Sequence, residues 1–379
     1  MKYNYDLNEY ILSYESIMEK LYALYSKNQD VVRMNIIGYS TFGYSIKCYK
    51  VGEGKKHVVL LGATHGCELV TTKFLFELYK DLLDSKGKAL FSEFTFHFIP
   101  ILNPEGYIIS SSNVLANMKC LKISTCDKLE QWSKLYLKNY NDDDKIASKG
   151  IKCPKKFYHV FNNSCSNIDN VHLRNSVNRI LVNCCLNEKV LSVWAANGMG
   201  VDLNSNSIDC FFEMKKLRNQ QKYANLRYND IPVTKPSPMS YPGVSTFYNC
   251  PENYSLDQYI KGLYYMNEND DVNEKFIAIF SYHSTGGEIY SYPKYQVEDK
   301  FYKENMQLYS RITGYRIIDD QIKYGIMDYY RRALKNTLCL TIELSKLNAN
   351  PIGPFSDLDK LEDEFVKNKE AMIAVINHI

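Results

Sequence analysis

Residues 57–83 read HVVLLGATHGCELVTTKFLFELYKDLL. The first seven, His57 to Ala63, are a continuous apolar, β-branched run, which predicts a strand buried on both faces of a parallel sheet. From Glu68 the period becomes helical, with Leu69, Phe74, Leu75, Leu78, Leu82 and Leu83 mostly on one side. A second strand-like run, FTFHFIPIL over residues 94–102, closes on Asn103-Pro104-Glu105-Gly106, which reads as a turn. Strand, helix, strand in that order is a βαβ unit, so the core is a wound α/β sheet.

On the N-terminal side, the chain reads as an amphipathic helix over roughly Asn8 to Ser26. A strand pair follows, carried by VVRMNIIGYS and YSIKCYKVG. On the C-terminal side, strand-like runs return at FIAIFSYH (Phe276 to His283) and TLCLTIEL (Thr337 to Leu344), and LDKLEDEFVKNKEAMIAVINHI reads as a closing helix. Between them, residues 110–193 are rich in Lys, Asn and Ser with helical periodicity, as expected of a mostly helical insertion. With no repeat and no flexible linker, the expectation is one α/β domain over residues 1–379. Its sheet should be mixed, mostly parallel and twisted, flanked by helices and interrupted by that insertion.

Composition removes several function classes. With 45% hydrophobic and 23% charged residues, 18 Gly and 11 Pro, the 379-residue chain is neither disordered nor collagen-like. Net charge is 46 − 43 = +3 with the basic residues scattered, so no nucleic-acid partner is expected. The polar, acidic start MKYNYDLNEY lacks the basic and apolar segments of a signal peptide. No run reaches the ~18 apolar residues of a membrane span. The 11 cysteines are odd in number and mostly isolated; Cys153, Cys165, Cys184 and Cys185 contain no C-x-x-C pair, so ordinary thiols are expected rather than a metal cluster. The expected location is cytoplasmic, without a membrane partner.

Three strand ends carry the chemistry. His65-Gly66-Cys67-Glu68 follows the first buried strand, at the carboxyl end of a strand where open α/β sheets bind ligands. His283 ends FIAIFSYH in the same way, and TLCLTIEL buries Glu343 among apolar neighbours, where a carboxylate is costly without a partner or a task. Two imidazoles and a carboxylate with one open position are the donors of a catalytic zinc site, and a further carboxylate beside them is a general base. His57, His97, His159, His172 and His378 read as structural or surface residues.

The segments IGYSTFGYSIKCYKVG, HVVLLGATHGCE, FIPILNPEGY, NGMGVDLNSN, MSYPG, FSYHSTGGEIYSYP and LCLTIEL resemble, in order, the zinc carboxypeptidase superfamily. That resemblance implies a peptidase acting on a peptide substrate with one Zn²⁺ as cofactor. It implies His65, Glu68 and His283 as metal ligands, Glu343 as general base and acid, and Asp202 of GVDLN as the carboxylate that orients the first zinc histidine. It also implies substrate contacts from Asn204 and from a mobile tyrosine, for which Tyr324 is the candidate with Tyr329 and Tyr330 as rivals. Met327 and Asp328 resemble the pair at the base of a specificity pocket.

Two departures bear on substrate. Much of the family has one Arg before the GVDLN block and a second after its Asn. Here WAANGMGVDLNSN puts Ala195 or a neighbour at the first place and Ser205 at the second. Three readings stay open: another cation, Arg331 or Arg332, fills the gap; the substrate needs no α-carboxylate clamp; or the chain binds zinc and peptide without turnover. HSTGGEIY resembles the HSxGxEIY signature of bacterial γ-D-glutamyl-diaminopimelate peptidases, which favours the second reading.

Overall fold

In a computed structural model of the chain, residues 6–84, 87–134, 163–207, 227–228, 231–232, 235–244, 250–266, 274–290, 300–318, 325–346 and 352–379 are described. Eight strands make one sheet: β1 (Val32–Tyr39), β2 (Ser45–Val51), β3 (Lys56–Leu61), β4 (Phe94–Ile99), β5 (Lys275–Ser284), β6 (Glu288–Tyr290), β7 (Arg316–Ile318) and β8 (Leu338–Leu344). Their order across the sheet is β1-β2-β4-β3-β5-β8-β6-β7. The central four, β4-β3-β5-β8, run parallel, and so do β6 and β7; β1, β2 and β6 join the sheet through antiparallel pairs. The expected mixed, mostly parallel sheet is present.

The helices are α1 (Tyr14–Lys27), α2 (Leu69–Leu82), α3 (Pro104–Cys120), α4 (Val171–Cys184), α5 (Pro251–Met266), α6 (Lys300–Thr313), α7 (Ile326–Ala333) and α8 (Leu358–His378). Successive strand residues serve opposite faces. Val58, Leu60, Phe96, Phe98, Phe280, Leu340 and Ile342 enter the larger core, shared with apolar residues of α1, α2, α3, α6 and α8. Val59, Leu61, Ile99, Ile279 and Cys339 enter a second core under Leu256, Ile260 and Leu263 of α5 and Ile326, Met327 and Tyr330 of α7. Burial on both faces is why β3, β5 and β8 are nearly uninterrupted apolar runs.

Two details differ from the sequence reading. Asn103-Pro104-Glu105-Gly106 is not a free turn but the start of α3: Asn103 caps it by accepting from the Gly106 amide, and Pro104 occupies the first helical position, where its missing N–H costs nothing. α3 also extends to Cys120, so the first residues of the 110–193 stretch lie in a helix of the main core. His57 and His97 form a buried relay. His57 Nδ1 lies 2.8 Å from His97 Nε2, His97 Nδ1 lies 2.7 Å from the Tyr259 hydroxyl, and His57 Nε2 lies 3.2 Å from Glu274. Among the described residues no helix is long and apolar enough to cross a membrane.

Candidate metal centre

β3 delivers the chain to the site. After Leu61 the backbone turns sharply into α2, with Ala63 at φ +44°, a left-handed value that side-chain-bearing residues seldom take. Neighbouring segments hold the turn: Asn103 Nδ2 donates to the carbonyls of Thr64 (3.2 Å) and Ala195 (3.1 Å), and the Gly66 amide donates to Ala195 (3.0 Å). A Cβ on Gly66 would lie 2.1 Å from the Gly106 carbonyl carbon, so only glycine lets this loop rest on the first turn of α3. The loop therefore presents His65 from a rigid seat, and Glu68 follows at the N-cap of α2.

The two imidazoles meet head to head. His65 Nδ1 and His283 Nδ1 are 3.3 Å apart, and Glu68 reaches both, with Oε1 2.8 Å from His65 Nδ1 and Oε2 3.1 Å from His283 Nδ1. One donor atom from each residue lies within 4.8 Å of the others. Two ring nitrogens this close repel as bare lone pairs, so the arrangement calls for a positive charge between them. Behind His65, Asp202 Oδ1 lies 3.3 Å from Nε2. Asp202 is itself fixed by the amides of Ser205 (3.1 Å) and Ser240 (2.8 Å). An acceptor there keeps the proton on Nε2 and turns the Nδ1 lone pair toward Glu68 and His283. His283 Nε2 is buried and finds no hydrogen-bond partner among the described residues.

Glu343 arrives on the strand beside His283. In the parallel pair β5/β8 these two residues are register partners, which puts both side chains on the same face of the sheet. Burial, with the carboxylate of Glu68 and more weakly that of Glu288, pushes Glu343 up to about 7 against the opposing pull of the two imidazoles. Burial alone would raise Glu68 as well, but His65 and His283 hold it down at about 2. Burial works against the charge on His65 and loses to Glu68 and Asp202, which lift it well above the ordinary imidazole range. Asp202 is held well below its usual value by His65 and the two amides despite its burial. These directions agree: the cluster attracts a cation, and its nitrogen and oxygen donors suit zinc.

The other expected site residues divide. Asn204 lies half-buried, with Oδ1 accepting from the Ile326 amide at 3.0 Å, so its NH2 is the half that can donate to a ligand. Arg331, expected at the substrate, is instead buried with its guanidinium 3.9 Å from the centre of the Tyr302 ring. The Tyr302 hydroxyl donates to the Thr337 carbonyl and accepts from the Cys339 amide, at the opposite end of β8 from Glu343. Arg331 therefore packs the base of the strand rather than the crevice. Asp328 Oδ2 accepts from the Gly325 amide and caps α7. Tyr324 lies outside the described residues.

No curated relative matches this chain. A family model described as zinc carboxypeptidase matches residues 17–317. Among solved structures, the chain is similar to bovine thrombin-activatable fibrinolysis inhibitor, solved in complex with tick carboxypeptidase inhibitor. That match has 14% identity and a TM-score of 0.57 over 98% of this chain and 100% of that one. It is also similar to the carboxypeptidase A of Helicoverpa armigera, at 15% identity and TM-score 0.54 over 97% of this chain and 73% of that one. A metallo-carboxypeptidase of Burkholderia cenocepacia matches at 11% identity and TM-score 0.52, over 97% and 70%. At such identities the likeness is one of fold.

Proposed function

Since the chain belongs to the zinc carboxypeptidase family and is a metallopeptidase, we propose that it hydrolyses a peptide or isopeptide bond with one zinc ion held by His65, Glu68 and His283. The observation that carries this reading is the convergence of the two Nδ1 atoms and Glu68, with Asp202 fixing the tautomer behind His65. When bound, the zinc supplies Lewis acidity toward the attacking water and the scissile carbonyl.

The protein's own residues manage the protons. Glu343, with its pKa raised to about 7, takes a proton from the attacking water as carboxylate and returns it to the leaving amine as acid. A carboxyl group raised toward neutral pH is populated in both protonation states there, as a single group acting first as base and then as acid requires. Asn204 offers its NH2 to a substrate oxygen while its carbonyl is anchored on α7.

The substrate class we propose is the γ-D-glutamyl-diaminopimelate bond of cell-wall peptides. The HSTGGEIY block supports it, as does Ser205 where the Arg that clamps a terminal carboxylate would be expected, with Ala195 or a neighbour at the place of the other Arg. The test is to incubate the zinc-loaded protein with L-alanyl-γ-D-glutamyl-diaminopimelate and with free and C-terminally blocked α-peptides, then identify products by mass. Cleavage at the γ-glutamyl bond is expected. Glu343→Gln should lower the rate by about 10²- to 10⁴-fold while the metal stays bound. Release of C-terminal residues from α-peptides alone would replace this substrate class with a carboxypeptidase activity. Zinc and peptide binding without any amine release would leave a binding protein.

A further inference from the structure

The row of side chains that carries His283 and Glu343 continues across the sheet. Glu343 is the register partner of Glu288 on β6, and Glu288 is the register partner of Arg316 on β7. Paired residues of neighbouring strands face the same way, so His283, Glu343, Glu288 and Arg316 form one line. At ~4.8 Å per strand, the Arg316 backbone lies about 10 Å from that of Glu343. Arg316 donates to Glu288 Oε1, and the Tyr290 hydroxyl donates to Glu288 Oε2 at 3.2 Å. The Glu288 side chain is only 17% exposed, whereas that of Arg316 is 73% exposed. One end of the line is thus the candidate metal centre, and the other is a guanidinium open to solvent.

Glu288 holds that guanidinium without exhausting it. A guanidinium has five N–H donors, and Oε1 of one carboxylate engages only part of them. Gly286, between His283 and Glu288, lies close against the Glu288 carboxylate, where a Cβ would come to 3.2 Å from the carboxylate carbon. Lys346, also close by, donates to the Gly314 carbonyl at 2.7 Å. Beyond Glu343 and Glu288, on the side of the line away from the candidate metal centre, a substrate carboxylate meets favourable charge at the Arg316 guanidinium.

We propose that Arg316, positioned by Glu288, receives a carboxylate of the substrate about two strand-widths from Glu343, so that this site selects peptides carrying an acidic group near the scissile bond. The proposal rests on the peptidase reading above, and its experiment is one of binding, so that the two fail separately. Zinc-loaded Glu343→Gln protein is titrated calorimetrically with L-alanyl-γ-D-glutamyl-diaminopimelate and with analogues in which one carboxylate at a time is a carboxamide. One of those replacements is expected to weaken binding about tenfold, the scale of a charge-assisted hydrogen bond. Adding Arg316→Ala should abolish that difference, and Arg316→Lys should restore part of it. Equal affinity for every analogue, a preference that survives Arg316→Ala, or no binding at all would overturn the assignment. Acid preference in binding alongside a wild-type chain that turns over none of these peptides would instead sink the peptidase reading and leave Arg316 as the anion site.

Discussion

Asp202→Asn probes how the site is held without touching a candidate ligand. In the native cluster, Asp202 Oδ1 accepts from His65 Nε2 (3.3 Å) and the Ser205 amide (3.1 Å), and Oδ2 accepts from the Ser240 amide (2.8 Å). An asparagine has one acceptor and one donor end, so in either orientation its NH2 meets a donor. If the NH2 faces Ser240, that amide loses its acceptor. Facing His65, it either opposes the Nε2 proton or drives that proton to Nδ1, the atom that faces Glu68 and His283. An unsatisfied buried donor costs about 1–3 kcal/mol. Loss of such a supporting contact typically weakens metal binding by about 10- to 100-fold. The zinc Kd of Asp202→Asn should rise by that factor, read by competition with a chromophoric chelator at neutral pH and well below the melting temperature. Glu343→Gln serves as the control that keeps its affinity. A folded Asp202→Asn protein with wild-type zinc affinity would refute the claim that the Asp202 carboxylate supports metal binding through His65.

The His57–His97 relay makes stability fall in acid. Burial lowers the pKa of both from 6.5, and Lys50 and their mutual repulsion add to this for His97, while Glu274 opposes it at His57. The folded chain therefore binds fewer protons than the unfolded one, so their contribution is present above pH 6.5 and is lost as pH falls below it, at up to about 1.4 kcal/mol per pH unit per group. Denaturant melts of the zinc-loaded protein between pH 7.5 and 5.5 should show this slope, and His97→Gln should flatten it; an unchanged slope would remove the relay from the acid response. Gly66→Ala should cost about 3 kcal/mol or more by driving a methyl group into the backbone of Gly106, read as a lower melting temperature and reduced zinc uptake; a wild-type melt would mean that the loop relaxes freely.

The parts of this architecture legible in the sequence are those that local pattern dictates. β3, β5 and β8 are buried on both faces, so their residues 57–61, 276–283 and 338–344 stand out as apolar runs whatever lies beside them. The candidate ligands follow from that, since His65, His283 and Glu343 sit at or just past the ends of those runs. Glu288 and Arg316 do not stand out, because β6 and β7 are three residues each and their register is set by pairing across the sheet. Asn103-Pro104 is ambiguous because the same residues favour turns and helix starts. Arg331 precedes Glu343 by only 12 positions, but α7 leads into the base of β8 and the strand then carries the chain away.

The central claim is tested most directly by a crystal structure of the zinc-loaded protein with anomalous diffraction measured across the zinc edge. The account predicts one zinc peak per chain, at about 2.0–2.2 Å from His65 Nδ1, His283 Nδ1 and a Glu68 oxygen, with Asp202 still on His65 Nε2. A zinc peak elsewhere, or a metal held through His65 Nε2, would contradict it.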